Sequence, residues 1–129
     1  MSSEECIQLS LPLNSAYVSA ARLTSSSVAN RLRFDTDEIE DIKAAVSESC
    51  TYIIKSQCDQ AENFVVRFYT SVDLLKVEIR AAGCQNIDND EMSLTVIKAL
   101  MDDVTIKKVN NETTITMTKY HQSNRFTIE

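Results

Sequence analysis

The sequence predicts an α+β domain, a two-layer sandwich in which a mixed β-sheet carries its helices on one face. Three observations lead there. Leu75, Val77 and Ile79 alternate with Lys76, Glu78 and Arg80, the period of a strand with one buried face. Ile39, Ile42, Val46, Ser49 and Ile53 recur at helical spacing. The segments run strand, two helices, two strands, helix, two strands, an order that segregates the helices over a single sheet.

From the N-terminus, "CIQLSLPL" alternates Ile7, Leu9 and Leu11 against Gln8 and Ser10, and Pro12 ends the strand. Asn14 or Ser15 then caps a helix running to about Arg33, with Tyr17, Ala20, Ala21, Thr24 and Val28 on its inner face. In "FDTDEIED", Asp35 followed three residues later by Glu38 has the pattern of a capping box, and the acids of the first turn suit the helix dipole. The helix that starts there collects Asp41, Glu48, Tyr52 and Lys55 on a second face, either a reactive site or a wet surface. "NFVVRFYTSVDLLKVEIRAAG" reads as two strands around Ser71 to Asp73. "MSLTVIKALMDD" is a short helix with Leu94, Ile97, Leu100 and Met101 inward, and "VTIKKVNNETTITMTKY" a hairpin turning at Asn110 and Asn111.

All 129 residues fit one domain, 1–129, without repeat or linker. Nineteen acids outnumber thirteen Lys and Arg, the net charge is -6, and the basic residues form no block, so direct nucleic-acid binding is not expected. "MSSEECIQLS" is acidic at its start and no apolar run reaches bilayer length, so neither a signal peptide nor a membrane span is expected, and the expected location is the cytoplasm. Cys6, Cys50, Cys58 and Cys84 form no C-x-x-C pair, and His121 is the one histidine, in the polar stretch "KYHQSNRF". The thiols read as reduced and structural, with no metal site and no Cys or His nucleophile system.

The stretches "YVSAARLTSSSVANRLRF", "DEIEDIKAAVSESCT", "LMDDVTI" and "TTITMTKY" resemble, in order and spacing, the anti-sigma factors that are also serine-protein kinases of the GHKL (Bergerat-fold) ATPase superfamily. Nearly the whole chain is covered, and it looks like the stress-response and sporulation anti-sigma kinases of Gram-positive bacteria. The resemblance implies a protein that holds a sigma factor inactive, releases it to an anti-anti-sigma protein, and phosphorylates that antagonist on serine with Mg-ATP. It also implies a homodimer, with the first helix and its flanks in dimer and partner contacts. Arg22, Arg31 and Arg33 are then candidate partner contacts, the alternative being ordinary helix solubility.

The resemblance assigns the nucleotide positions residue by residue. Glu48 stands at the family's base, while Tyr52 stands where an Asn would help hold Mg, a bulky phenol in place of a compact oxygen ligand. In "IRAAGCQNI", Ala81 replaces the Asp that accepts from adenine, Gly83 is kept, and Gln85 takes the place of the second glycine. Only Asn86 to Asp90 remain where a lid would lie, and the phosphate-binding turn reads Glu91-Met92-Ser93, which brings an acid to a site for phosphates. Thr114 matches a family threonine near the nucleotide, although strand propensity alone favours threonine there. One glycine in the whole chain is few for a nucleotide cradle. The expectation is an anti-sigma-factor-like regulator that binds a sigma factor or an anti-anti-sigma protein, with its nucleotide site lost and no cofactor. Glu48 is then a relic, paired with Lys55 or solvated, and Tyr52 a plug in the vacated pocket. The alternative is an active serine-protein kinase using Mg-ATP through an atypical site.

Overall fold

A computed structural model describes residues 4–56, 61–83 and 91–121, the side chains of Glu91 and Met92 excepted. Strand β1 (Glu5–Pro12) leads through a 3-10 turn (Ser15–Tyr17) into helices α1 (Val18–Arg31) and α2 (Thr36–Lys55). The hairpin β2 (Asn63–Thr70) and β3 (Leu74–Ala82) follows, then α3 (Glu91–Leu100) and the hairpin β4 (Asp103–Val109) and β5 (Glu112–Tyr120). The element order is the one expected.

The sheet is not mixed. Its order is β1-β2-β3-β5-β4, and every neighbouring pair is antiparallel. The reason lies in the connections. Two helices between β1 and β2 return the chain with reversed direction, whereas the single helix between β3 and β4 leaves those strands codirectional. They would have formed the parallel pair, but β5 inserts between them and meets both in the antiparallel sense.

Alternation decides the two faces. Phe64, Val66 and Phe68 of β2, Leu75, Val77 and Ile79 of β3, and Ile115 and Met117 of β5 are fully buried against Ile42, Val46, Cys50 and Ile53 of α2. Completely burying one such aliphatic side chain contributes about 1.5–3 kcal/mol, so this inner layer dominates the stability. The outer face is polar: Glu78 accepts from Arg67 at 3.3 Å and from Arg80 at 3.2 Å, with Gln8 and the threonines of β5 beside them. A single apolar face explains why all three helices sit on one side.

Local chemistry fixes the helix ends. Asp35 Oδ1 accepts from the Glu38 N–H at 2.8 Å and Glu38 Oε1 from the Asp35 N–H at 2.9 Å, so the capping box closes as read from the sequence. Asn14 accepts from Ala16 N–H and opens the 3-10 turn. Ala21 and Val28 are buried as expected, together with Ser25 and Ala29, and Ala20 and Thr24 are half-buried; Tyr17 is 45% exposed, not inward. Tyr17 ends the 3-10 turn and so does not share the rotational phase of the α1 stripe. At Asn110 and Asn111 both φ angles are positive, 54° and 64°, the requirement of a type I′ hairpin turn.

One buried cation was missed. Lys119 continues the inward series Ile115, Met117 on β5 and is 7% exposed, its Nζ donating to the Leu100 carbonyl at 2.7 Å, with Asp41 Oδ2 3.7 Å away. It ties the end of α3 to β5 and α2.

Candidate functional site

Glu48 and Tyr52 follow each other on α2 by one turn yet face different surroundings. Four residues advance the helix about 40° beyond a full turn, and that increment carries Tyr52 from the flank to the covered side, next to Ile53. Tyr52 is 2% exposed, so it is part of the core and not of a wet face with Asp41 and Lys55. Glu48 is half-buried and lines a groove of about 390 Å3 between α1 and α2, shared with Arg22, Glu40, Lys43, Ala44 and Ser47. Its Oε2 accepts from the Ser93 hydroxyl of α3 at 3.2 Å. Ser93, rather than Lys55, is thus the side chain placed on this carboxylate.

The middle of the sheet supplies the next positions. Ala81 pairs with Thr113 across β3 and β5, and both are buried on the inner face. Thr114 is on the other side: it borders the outer-face groove with Arg80 and Lys107. The threonine that faces the helices at this level is therefore Thr113, and Thr114 faces away from them. The doublet Thr113-Thr114 gives no phase by itself, whereas the inward Ile115 and Met117 fix it by the two-residue period. Thr113 Oγ1 is buried and has no hydrogen-bond partner among the described residues.

Gly83 adopts φ 72°, a state that only glycine holds without a Cβ clash, and its N–H donates to the Asn111 carbonyl at 2.8 Å. That amide is spent on the β4–β5 turn. Gln85, the Asn86 to Asp90 segment, Cys58 and Cys84 lie outside the described residues, as does the side chain of Glu91.

Cys50 lies at the heart of α2, and burial pushes its thiol up to about 12, which keeps it protonated and non-nucleophilic. Beside it, the Ser49 hydroxyl donates to Met117 Sδ at 3.1 Å. Cys6 is exposed on β1. Among the described residues no three His, Cys, Asp or Glu side chains converge as a metal site. No described helix is long and apolar enough to cross a membrane.

The three arginines do not form one patch. Arg22 shares the groove of Glu48; Arg31 borders another groove, of about 420 Å3, with Glu5, Ile7 and Thr70 of the first two strands; Arg33 lies beyond the end of α1. All three are exposed.

Mg-ATP can be tested against these side chains. An adenine amino group requires an acceptor, and Ala81 offers a methyl; a hard cation requires compact oxygen ligands, and Tyr52 offers a buried aromatic ring. The Thr113 hydroxyl, opposite Ala81 across β3 and β5, is buried without a hydrogen-bond partner among the described residues. At these two positions the side chains present do not supply the acceptor and the cation ligand that the family's nucleotide would use there.

Comparison with known proteins gives a consistent picture. The family model described as "Histidine kinase-like ATPase domain" matches residues 11–119. Serine-protein kinase RsbW of Staphylococcus aureus (strain MRSA252) is 33% identical, over 92% of this chain and 89% of its own length. The protein of the same name from Halalkalibacterium halodurans is 29% identical, over 92% of this chain and 85% of its own. Among solved structures, the RsbU and RsbW domains of Rv1364c from Mycobacterium tuberculosis superpose with a TM-score of 0.74 at 18% identity. That match spans 89% of this chain and 32% of the longer one, and it bears on the fold alone.

Proposed function

The chain belongs to the histidine kinase-like ATPase domain family, alongside proteins named serine-protein kinase RsbW, and from that premise we propose that it is an anti-sigma-factor-like regulator that works by protein binding, with its nucleotide site lost. Its partner is a sigma factor or an anti-anti-sigma protein, met in the cytoplasm by a homodimer of this chain. The observation that carries the reading is the burial of Tyr52 at the position of the family's metal-holding Asn. A side chain packed into the core cannot withdraw to admit a cation and triphosphate without opening a cavity.

Partner binding draws its support from the other side of α2. Glu48 and Arg22 share an open groove between two helices, so a carboxylate and a guanidinium stand where a polar segment of a partner can engage both. A second reading, an active serine-protein kinase with an atypical site, is favoured by the retention of Glu48 and by the buried Thr113 hydroxyl left without a described partner.

Thermal unfolding with millimolar Mg-ATP separates the two. A ligand at about one hundred times its dissociation constant stabilises by about 2.7 kcal/mol, which would move the midpoint by several degrees. The expected result is no shift with or without Mg; a shift of that size would establish a working nucleotide site and overturn this reading.

A further inference from the structure

Helix α3 is attached to the rest of the molecule by polar contacts at both ends, and the two ends differ. At its start the Ser93 hydroxyl donates to Glu48 Oε2 at 3.2 Å. At its finish Lys119 Nζ donates to the Leu100 carbonyl at 2.7 Å, with Asp41 Oδ2 at 3.7 Å. Between them Ile97 is fully buried.

The C-terminal contact is the harder to exchange. It is a charge-assisted bond at the negative end of a helix dipole, and a largely buried ammonium that lost it would keep only the Asp41 carboxylate, which is half-exposed to solvent and 3.7 Å away. The N-terminal contact is a hydroxyl on a half-buried carboxylate that also lines the Arg22 groove. Glu48 can therefore be satisfied from the groove side when Ser93 leaves.

We propose that α3 is a latch with its pivot at Lys119 and its catch at Ser93 and Glu48. The catch holds the first turn of α3 against α2 with no bound ligand, and it stands whether or not the Arg22 groove is a partner face.

Amide hydrogen exchange on the full chain, without nucleotide or partner, tests it. Ser93→Ala is expected to speed exchange of the Thr95, Val96 and Ile97 amides, which bond the carbonyls of the first turn, by about tenfold and to leave the Leu100 end as protected as before. Glu48→Ala should give the same pattern, and the double variant less than the sum of the two single changes, because both remove the contact between Ser93 and Glu48. Lys119→Met should instead speed exchange along the whole of α3. If it fails to fold, Lys119→Gln, which shortens the side chain and removes the charge while keeping a polar group, should speed exchange at the Leu100 end. Wild-type protection of Thr95, Val96 and Ile97 in Ser93→Ala, or additive effects in the double variant, would overturn the catch; unchanged protection at the Leu100 end in the Lys119 variants would overturn the pivot. None of these outcomes depends on whether a partner binds, so failure of the latch and failure of the proposed function are separable.

Discussion

Arg33 has φ 67°, in the left-handed region, immediately after the C-cap of α1. Its N–H donates to the Asn30 carbonyl at 3.1 Å and the Phe34 N–H to the Ala29 carbonyl at 3.2 Å, the paired bonds of a Schellman motif. Glycine is the usual residue there, because a Cβ in that state costs about 1–2 kcal/mol, partly offset by the larger entropy glycine loses on folding. Arg33→Gly is therefore expected to raise the unfolding free energy by about 0.5–1 kcal/mol at unchanged m-value in urea. The strain also gives the arginine a reason to be tested as a contact: if the guanidinium serves a partner, the same substitution strengthens the fold and weakens binding. Lowered or unchanged stability would show that the turn is relaxed with arginine. At this same scale the sequence was least legible. Thr113 and Thr114 are chemically identical neighbours on opposite faces, and Lys119 carries a charge that argues for solvent although its register places it inside.

At the scale of elements the reading was more secure, because helix and strand are written in periods that survive a few exceptions. The capping box at Asp35 and Glu38, the turn at Ser71 to Asp73 and the Asn110-Asn111 hairpin each follow from side-chain chemistry confined to a few residues. The mixed sheet did not follow, since strand direction depends on which neighbours meet, and β5 separating β3 from β4 is a long-range choice. The faces of α2 were legible in outline: spacing alone grouped Tyr52 with Asp41, Glu48 and Lys55, whereas its ring, expected as a plug, belongs to the core. That burial carries a prediction for the whole helix. Tyr52→Asn deletes most of a buried ring and places an amide in the void, so α2 loses packing along its covered side, and stability should fall by about 1–4 kcal/mol in a denaturation curve. Calorimetric titration of the variant with Mg-ATP should show no binding, because Ala81 still presents a methyl to adenine. Unchanged stability would mean the ring is not holding the helix, and restored binding would mean that the rest of the site is intact.

For the molecule as a whole, the sheet has two edges of different character. β4 carries Lys107 and Lys108, exposed charges that discourage a further strand from pairing. β1 reads Cys6, Ile7, Gln8, Leu9 and Ser10 through its middle, without a charge, and is paired on one side only, to β2. Next to that edge lies the groove of about 420 Å3 lined by Ile7, Val28 and Leu32 as well as Arg31, so apolar surface and unpaired backbone adjoin. The proposed homodimer would meet both requirements at once: the second copy's β1 would extend the sheet, and a two-fold axis would let each Ile7 and Val28 cover the other. Association through this edge also leaves the Glu48 and Arg22 groove open, since that groove lies between α1 and α2 rather than between α1 and β1. Multi-angle light scattering at tens of micromolar is therefore expected to give twice the chain's 14.5 kDa, and Ile7→Lys, which places a charge in the shared groove, to return the mass to that of one chain. A single-chain mass for the unaltered protein would rule out β1 as the pairing edge, and a dimer that survives Ile7→Lys would move the contact to another face.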